Sequence, residues 1–168
     1  LHTTLVRIHD EVAGLIYAQN IMIVLWDRQK DEIRIPYFVD QVDHWPVHEG
    51  ALPLASLKNS LTVRMMQKGE PMMGPSSALA AQFGIAEEDC IGPASLSWLG
   101  VPMVSDGEVR GAVVVQSYDR PNRYTRESAE VLAYVAQHIG IVLDRRDANV
   151  GLEDLVALRA RELRDANV

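Results

Sequence analysis

The sequence predicts an α+β fold, an antiparallel sheet with the N- and C-terminal helices on one face and an irregular helical middle on the other. Three observations lead there. Residues Ser97 to Asp119, SWLGVPMVSDGEVRGAVVVQSYD, set two apolar runs on either side of an Asp-Gly pair, the pattern of a hairpin. Apart from Arg110 and Gln116, both faces of that hairpin are apolar, so it belongs at the centre of a sheet covered on both sides. Helical periodicity opens and closes the chain, while the segments between are short and broken by Pro and Gly.

Leu5, Ile8, Val12, Leu15 and Ile16 recur at helical spacing and predict a helix from Thr3 to about Ala18, with Thr3 and Thr4 as N-cap candidates. Asn20–Trp26, NIMIVLW, reads as a buried strand rich in β-branched residues. The polar turn DRQKDE leads to its antiparallel partner, Ile33–Val39. Pro36 lacks an N–H donor, so this second strand lies at an edge or carries a bulge. Residues Asp40–Pro53 are charged, broken by Pro46, Gly50 and Pro53, and read as loop. Ser60–Lys68 is a short helix ended by Gly69. From Pro71 to Pro93 periodicity is weak, with a short helix in SALAAQFG.

In the hairpin, a two-residue turn at Asp106-Gly107 sets Ser105 against Glu108 and Val104 against Val109. Strict alternation then puts Trp98, Gly100, Pro102, Val104, Val109, Gly111, Val113 and Val115 on one face. Leu99, Val101, Met103, Arg110, Ala112, Val114 and Gln116 fall on the other. Gly100 and Gly111 thus share a face, and whatever covers it approaches the backbone closely. After the hairpin, Thr125 caps a long helix whose stripe is Leu132, Val135, Ile139 and Val142. Beyond Asp147 the chain is charged and helical. Leu152, Leu155, Val156 and Leu163 fit a short, imperfect coiled-coil seam, and Gly151 predicts a break or stutter. RDANV occurs twice, too few copies for a repeat architecture.

At 168 residues, with 48% apolar and 23% charged, the chain has the composition of an ordinary globular domain. A formal net charge of −7 opposes non-specific nucleic-acid binding and adsorption to an anionic membrane. No apolar run approaches the ~20 residues that span a bilayer. Cys90 is the single cysteine, so neither an internal disulfide nor a multi-Cys zinc site is available, and a cytoplasmic setting is expected. The chain opens at Leu1 and ends in mid-pattern at Val168, which reads as a piece of something longer.

Three stretches in order resemble a GAF domain, the small-molecule sensory fold related to PAS. They are AQNIMIVLWD with IRIPYFVDQVD, SLTVRMMQKGEPMM, and SWLGVPM with GEVRGAVVVQSYD and RYTRESAEVLAYVAQHI. The resemblance covers about Thr3 to Arg146, and together the stretches resemble bacterial domains found upstream of diguanylate cyclase (GGDEF) or sensor histidine kinase modules. The tail LEDLVALRARELRDANV resembles the helix that links such sensors to the next module, with Ala160 in place of the usual Thr. The resemblance implies a six-stranded sheet, a ligand-sized cavity opposite the terminal helices, and a homodimer formed through those helices. It divides the chain into a GAF domain at 1–146 and the start of a signalling helix at 147–168.

Chromophore-binding relatives place His after their Cys, whereas Ile91 follows Cys90, so Cys90 reads as a small, partly buried thiol. Sulfoxide-reducing relatives need a second redox Cys. His44 and His48 have metal-ligand spacing, but Pro46 between them makes the segment a loop of solvated imidazoles. His138 reads as a core or interface histidine. Cyclic-nucleotide binders carry Asp and Glu where Ser128 and Ala129 stand after Asn122-Arg123-Tyr124. Glu87-Glu88-Asp89 and Asp31-Glu32 read as solvated turns. No Walker loop or GxGxxG appears, no Ser-His-Asp set can be assembled, and no motif names a cofactor or a metal. Trp26, Tyr37, Trp45, Trp98 and Tyr118 are aromatic residues suited either to line a pocket or to fill the core.

The resulting expectation is a sensory domain without catalysis of its own. An unidentified small ligand in the cavity shifts the terminal helices, and the motion passes to a kinase or cyclase. The alternative is an interaction module whose cavity is filled by core side chains. With the helices expected over the glycine face, the pocket candidates are Tyr37, Trp98, Leu99, Val101, Met103, Arg110 and Tyr118. Neither nucleic acid nor membrane insertion is expected.

Overall fold

The computed structural model describes residues 1–45 and 50–166, the side chains of 147–150 excepted. Helix α1 (His2–Ala13) leads into paired strands β1 (Asn20–Asp27) and β2 (Glu32–Val39) and the two-residue strand β3 (Leu52–Pro53). Helix α2 (Leu61–Lys68), strand β4 (Met72–Gly74) and helix α3 (Ser76–Gln82) form the middle. The hairpin β5 (Ser97–Ser105) and β6 (Glu108–Ser117) precedes helix α4 (Arg126–Ala166). The strands make one six-stranded sheet in the order β3-β2-β1-β6-β5-β4, every neighbouring pair antiparallel. The α+β class and the antiparallel sheet are as the sequence predicts.

Local chemistry explains most boundaries. Helix α1 starts one residue before Thr3, with Leu1 at its N-cap and no side-chain cap, so neither threonine plays that part. It stops at Gly14, earlier than the periodicity suggests, and Leu15 and Ile16 bond back to the Val12 carbonyl in a tight turn. Gly69 ends α2 with φ 74, returning its N–H to the Met65 carbonyl at 2.8 Å. At the start of α4, Thr125 and Ser128 bond reciprocally. The Ser128 N–H donates to Thr125 Oγ1 at 3.3 Å and the Thr125 N–H to Ser128 Oγ at 3.0 Å, a capping box closed by serine. Gly151 does not interrupt α4, which runs unbroken for 41 residues.

Two bulges set the faces. Between Ile23–Tyr37 and Leu25–Arg34, strand β2 spends Ile35 and Pro36 opposite Val24 alone, so Pro36 sits in a bulge. In the hairpin, Asp106 (φ 51) and Gly107 (φ 75) form the two-residue turn. Val104 faces Val109, but Met103 faces Gly111, leaving Arg110 as an extra residue on β6. That one residue moves β5 to the opposite face relative to the body of β6, and the strict-alternation assignment is corrected accordingly.

Leu99, Val101 and Met103 therefore lie with Gly111, Val113 and Val115 beneath the terminal helices. They join Leu5, Val12, Ile21, Ile23, Tyr37, Leu132, Ala136 and Ile139 in one buried core. On the other face Trp98, Ala112, Val114, Val24 and Ile33 pack against Val63, Met65, Met66 and Leu79. Gly100 and Gly111 are consequently on opposite faces. Past Leu143, α4 leaves the domain with Leu152, Leu155, Val156, Leu158 and Leu163 exposed. Val142, expected in the buried stripe, is also 39% exposed. Among the described residues, no helix is long and apolar enough to cross a membrane.

Candidate functional site

The face of the sheet away from α1 and α4 is incompletely covered, and the gap is a cavity of about 160 Å³. Met22 and Val24 of β1, Ile33, Ile35 and Phe38 of β2, Trp98 of β5 and Gln116 of β6 form its floor. The start of α2 (Ser60–Val63), Ser76, Ser77 and Ala80 of α3, and the segment around Cys90–Ala94 wall it. Asp43 and Trp45, from the loop after β2, and Glu87, from the turn after α3, complete the lining.

Trp98 is shaped by its neighbour two residues on. A Cβ at Gly100 would collide with Trp98 Cη2 and lie 2.7 Å from Cζ3 and 3.1 Å from Met65 Cε. The indole is thus laid along its own strand, over the bare glycine. Ser76 fixes the far wall: its Oγ accepts from the Ser95 N–H at 2.8 Å and donates to the Ser95 carbonyl at 3.2 Å. Burial pushes the Cys90 thiol up, and Glu87 and Asp89 push the same way, which keeps it a thiol rather than a nucleophilic thiolate.

The loop that brings Asp43 and Trp45 to the cavity is tied to both terminal helices' junctions with the sheet. Asp40 Oδ1 accepts from the N–H groups of Val42 and Asp43, each at 2.9 Å, and Asp40 Oδ2 accepts from Tyr118 Oη at 2.8 Å. The Gln41 N–H donates to Asn20 Oδ1 at 2.7 Å, and Asn20 Nδ2 donates to the Gln116 carbonyl at 3.1 Å. Tyr17 Oη donates to Gln41 Oε1 at 3.4 Å, while the Tyr17 carbonyl accepts from Tyr124 Oη at 3.0 Å and Arg123 stacks 3.9 Å over the Tyr17 ring. Burial, and then the Asp40 carboxylate, raise the Tyr118 phenol well above its ordinary value. Burial, with Tyr17 second, does the same for Tyr124.

Of the residues singled out in the sequence, Trp98 lines the cavity, as does Trp45, one of the aromatic candidates outside the expected pocket set. Tyr118 is not among the lining residues; it holds the loop through Asp40. Leu99, Val101 and Met103 belong to the helix-side core because of the Arg110 bulge. Tyr37 is there too; its hydroxyl meets His9 Nδ1 at 2.8 Å, and His9 Nε2 meets the Ala18 carbonyl at 2.6 Å. A carbonyl only accepts, so Nε2 carries a hydrogen, and in the neutral ring Nδ1 is then the acceptor of the Tyr37 hydroxyl. Arg110 is exposed in a separate groove near the hairpin turn, with Arg28, Arg34, Glu108 and Asp144. Trp26 lies in the same groove under the Arg28 guanidinium, 4.4 Å away.

Asp43, Glu87, Cys90 and Gln116 are lining residues that the sequence did not propose for the pocket. Gln116 carried a signal, as a polar residue on an apolar strand face; the others sit in segments without periodicity. His138 is exposed, edge-on to Tyr134 at 4.6 Å. His44 is exposed and His48 lies outside the described residues. Among the described residues, no three His, Cys, Asp or Glu side chains gather as a metal site would require.

The profile of the GAF domain family matches residues 1–143. No curated protein matches the chain. Among solved structures, the chain is similar to the GAF domain of an Acinetobacter phosphoenolpyruvate-protein phosphotransferase, with TM-score 0.65, 19% identity, and 88% of this chain and 84% of that one covered. It is similar to the GAF domain of a two-component sensor histidine kinase from Bacillus halodurans, with TM-score 0.66, 11% identity, and coverage of 89% and 97%. A type II free methionine-R-sulfoxide reductase from Thermoplasma acidophilum also aligns, with TM-score 0.63, 13% identity, and coverage of 86% and 92%. At these identities the likeness concerns the fold.

Proposed function

The chain belongs to the GAF domain family, whose profile covers residues 1–143, and from that premise we propose that it is a ligand-sensing regulatory domain without catalysis of its own. A small molecule binds the cavity between the sheet and α2–α3, and the terminal helices carry its effect to an output module, a sensor histidine kinase or a diguanylate cyclase. The observation that carries this reading is the hydrogen-bonded loop Asp40–Trp45. It contributes Asp43 and Trp45 to the cavity, while Asp40 and Gln41 are bonded to Tyr118, Asn20 and Tyr17. Tyr17 in turn holds Tyr124 and Arg123, immediately before α4. A ligand that seats Trp45 differently therefore pulls on the roots of both helices. Such coupling needs only that the ligand prefer one arrangement of the loop.

The exposed apolar side chains of α4, from Ile141 to Leu163, support a homodimer through the terminal helices. The net charge of −7 disfavours non-specific nucleic-acid binding. The setting proposed is cytoplasmic, where such output modules work. The alternative, a pure dimerisation module, predicts no ligand at all.

Native mass spectrometry of the purified domain tests both readings, expecting a dimer with a retained small molecule. Hydrogen exchange with and without that molecule should then change at residues 40–45 and at both helix roots, 14–20 and 118–128. Changes confined to the cavity walls would overturn the coupling. A dimer with no bound molecule, and none taken up, would leave the interaction module.

A further inference from the structure

We propose that the cavity takes a small organic cation, an apolar or aromatic body of about eight non-hydrogen atoms bearing one protonated amine. The inference rests on reading the cavity as a ligand site and goes on to name the chemistry of its ligand. Size comes first. At about 160 Å³ the space matches an engineered cavity of ~150 Å³ that holds a benzene ring. A nucleotide or a tetrapyrrole is far larger than this.

Charge comes second. Among the described residues, the lining contains no Lys, Arg or His, whereas Asp43 and Glu87 each bring a carboxyl group from a different segment. An anion would be desolvated there without a cationic partner and against two like charges, which the physics of burial opposes. A cation meets the reverse: two carboxylates, and the overall field of a chain carrying −7.

Shape and polarisability come third. Phe38, Trp45 and Trp98 reach the cavity from three separate elements, and aromatic faces attract ammonium groups when water is excluded. Gly100 keeps the Trp98 indole laid along the strand, so one of these rings is held in place by the backbone itself. Below them Met22, Val24 and Ile33 offer an apolar floor for the ligand's body. No single member of the set names a cation; apolar floor, aromatic walls and a lining with two acids and, among the described residues, no base do so together.

Three probes of nearly equal shape test it by titration calorimetry at pH 7: benzylammonium, benzyl alcohol and benzoate. The proposal expects benzylammonium to bind roughly tenfold tighter than benzyl alcohol and benzoate to give no heat. Raising the salt concentration should narrow the cation's lead. The double variant Asp43→Asn, Glu87→Gln should bring benzylammonium to within about twofold of benzyl alcohol, with the alcohol's own affinity unchanged. Benzyl alcohol or benzoate binding as tightly as benzylammonium to the unaltered domain overturns the charge assignment and leaves the ligand site standing. No binding by any of the three at about 10 mM, weaker than the millimolar range where fragments register, overturns the ligand site as well.

Discussion

The indole of Trp98 lies in the space that a side chain at Gly100 would need. A Cβ there would collide with Cη2, with Cζ3 2.7 Å away and Met65 Cε 3.1 Å away. The glycine is present because a ring is folded over it, and that ring is one wall of the cavity. A small residue in an apolar strand thus reports an intramolecular cover, and the identity of the cover links strand packing to the site.

Gly100→Ala should push Trp98 off its seat. Overpacking a buried position of this kind costs about 1–3 kcal/mol. The neighbours are side chains that can yield, so the domain is expected to fold, with a lowered urea midpoint and altered tryptophan emission. Ligand affinity should fall more than stability does, since the displaced ring enters the cavity. Unchanged emission together with an unchanged midpoint would show that the ring is not held by this contact.

Gly111→Ala should be worse, for a reason the register supplies. A Cβ at 111 would run into the carbonyl oxygen of Val24 on the adjacent strand, and lie 2.5 Å from Met103 Cε. The obstacle is backbone, which cannot rotate away, and the bulge at Arg110 fixes the approach. A loss of roughly 3 kcal/mol or more is expected by equilibrium unfolding, exceeding that of Gly100→Ala. Equal losses at the two sites would contradict the distinction between a yielding side chain and a fixed carbonyl.

Why the two glycines read as face-mates in the sequence is instructive. Alternation assigns faces only when one face is apolar and the other polar. Here Leu99, Val101, Ala112, Val113, Val114 and Val115 are all buried, so the extra residue at Arg110 leaves no trace in the pattern. The hairpin, its turn and the two layers of helices were legible because turn residues and helical stripes have strong local signals. Strands β3 and β4, of two and three residues, are too short to show a period. The cavity is walled by segments 43–45, 57–63 and 76–94, whose residues are brought together by the sheet rather than by their own pattern. Trp98 was within reach of sequence reasoning; Asp43 and Glu87 were not. Gly151 illustrates the converse: an exposed glycine costs a helix only about 1 kcal/mol, which its neighbours in α4 offset.

Three phenols are raised above the ordinary tyrosine value: Tyr37 by burial and then Asp10, Tyr118 by burial and then Asp40, Tyr124 by burial and then Tyr17. The folded chain therefore holds these protons more tightly than the unfolded one. Their contribution to stability is whole below the unfolded value near 10 and is lost as pH climbs past it. The urea midpoint should fall steadily above about pH 10. Ultraviolet titration should show these three ionising later in the folded domain than in the urea-unfolded chain. A flat midpoint between pH 9 and 11 would contradict the burial of these rings.

Tyr118→Phe isolates the latch between the cavity loop and the segment leading to α4. The substitution keeps the ring and removes one hydrogen bond, from Tyr118 Oη to the Asp40 carboxylate. Because the pair is only partly buried, the cost in global stability should be about 1 kcal/mol. The effect expected at the loop is sharper. Asp40 also accepts from the Val42 and Asp43 amides, so losing its anchor should speed hydrogen exchange at those two positions. Asp43 lines the cavity, and a loosened loop must be ordered again on binding, so affinity for a bound probe should drop by about two- to fivefold. Faster exchange with unchanged affinity would mean that the loop is held by Tyr118 without serving the cavity. Unchanged exchange would mean that Gln41 and Asn20 hold it alone.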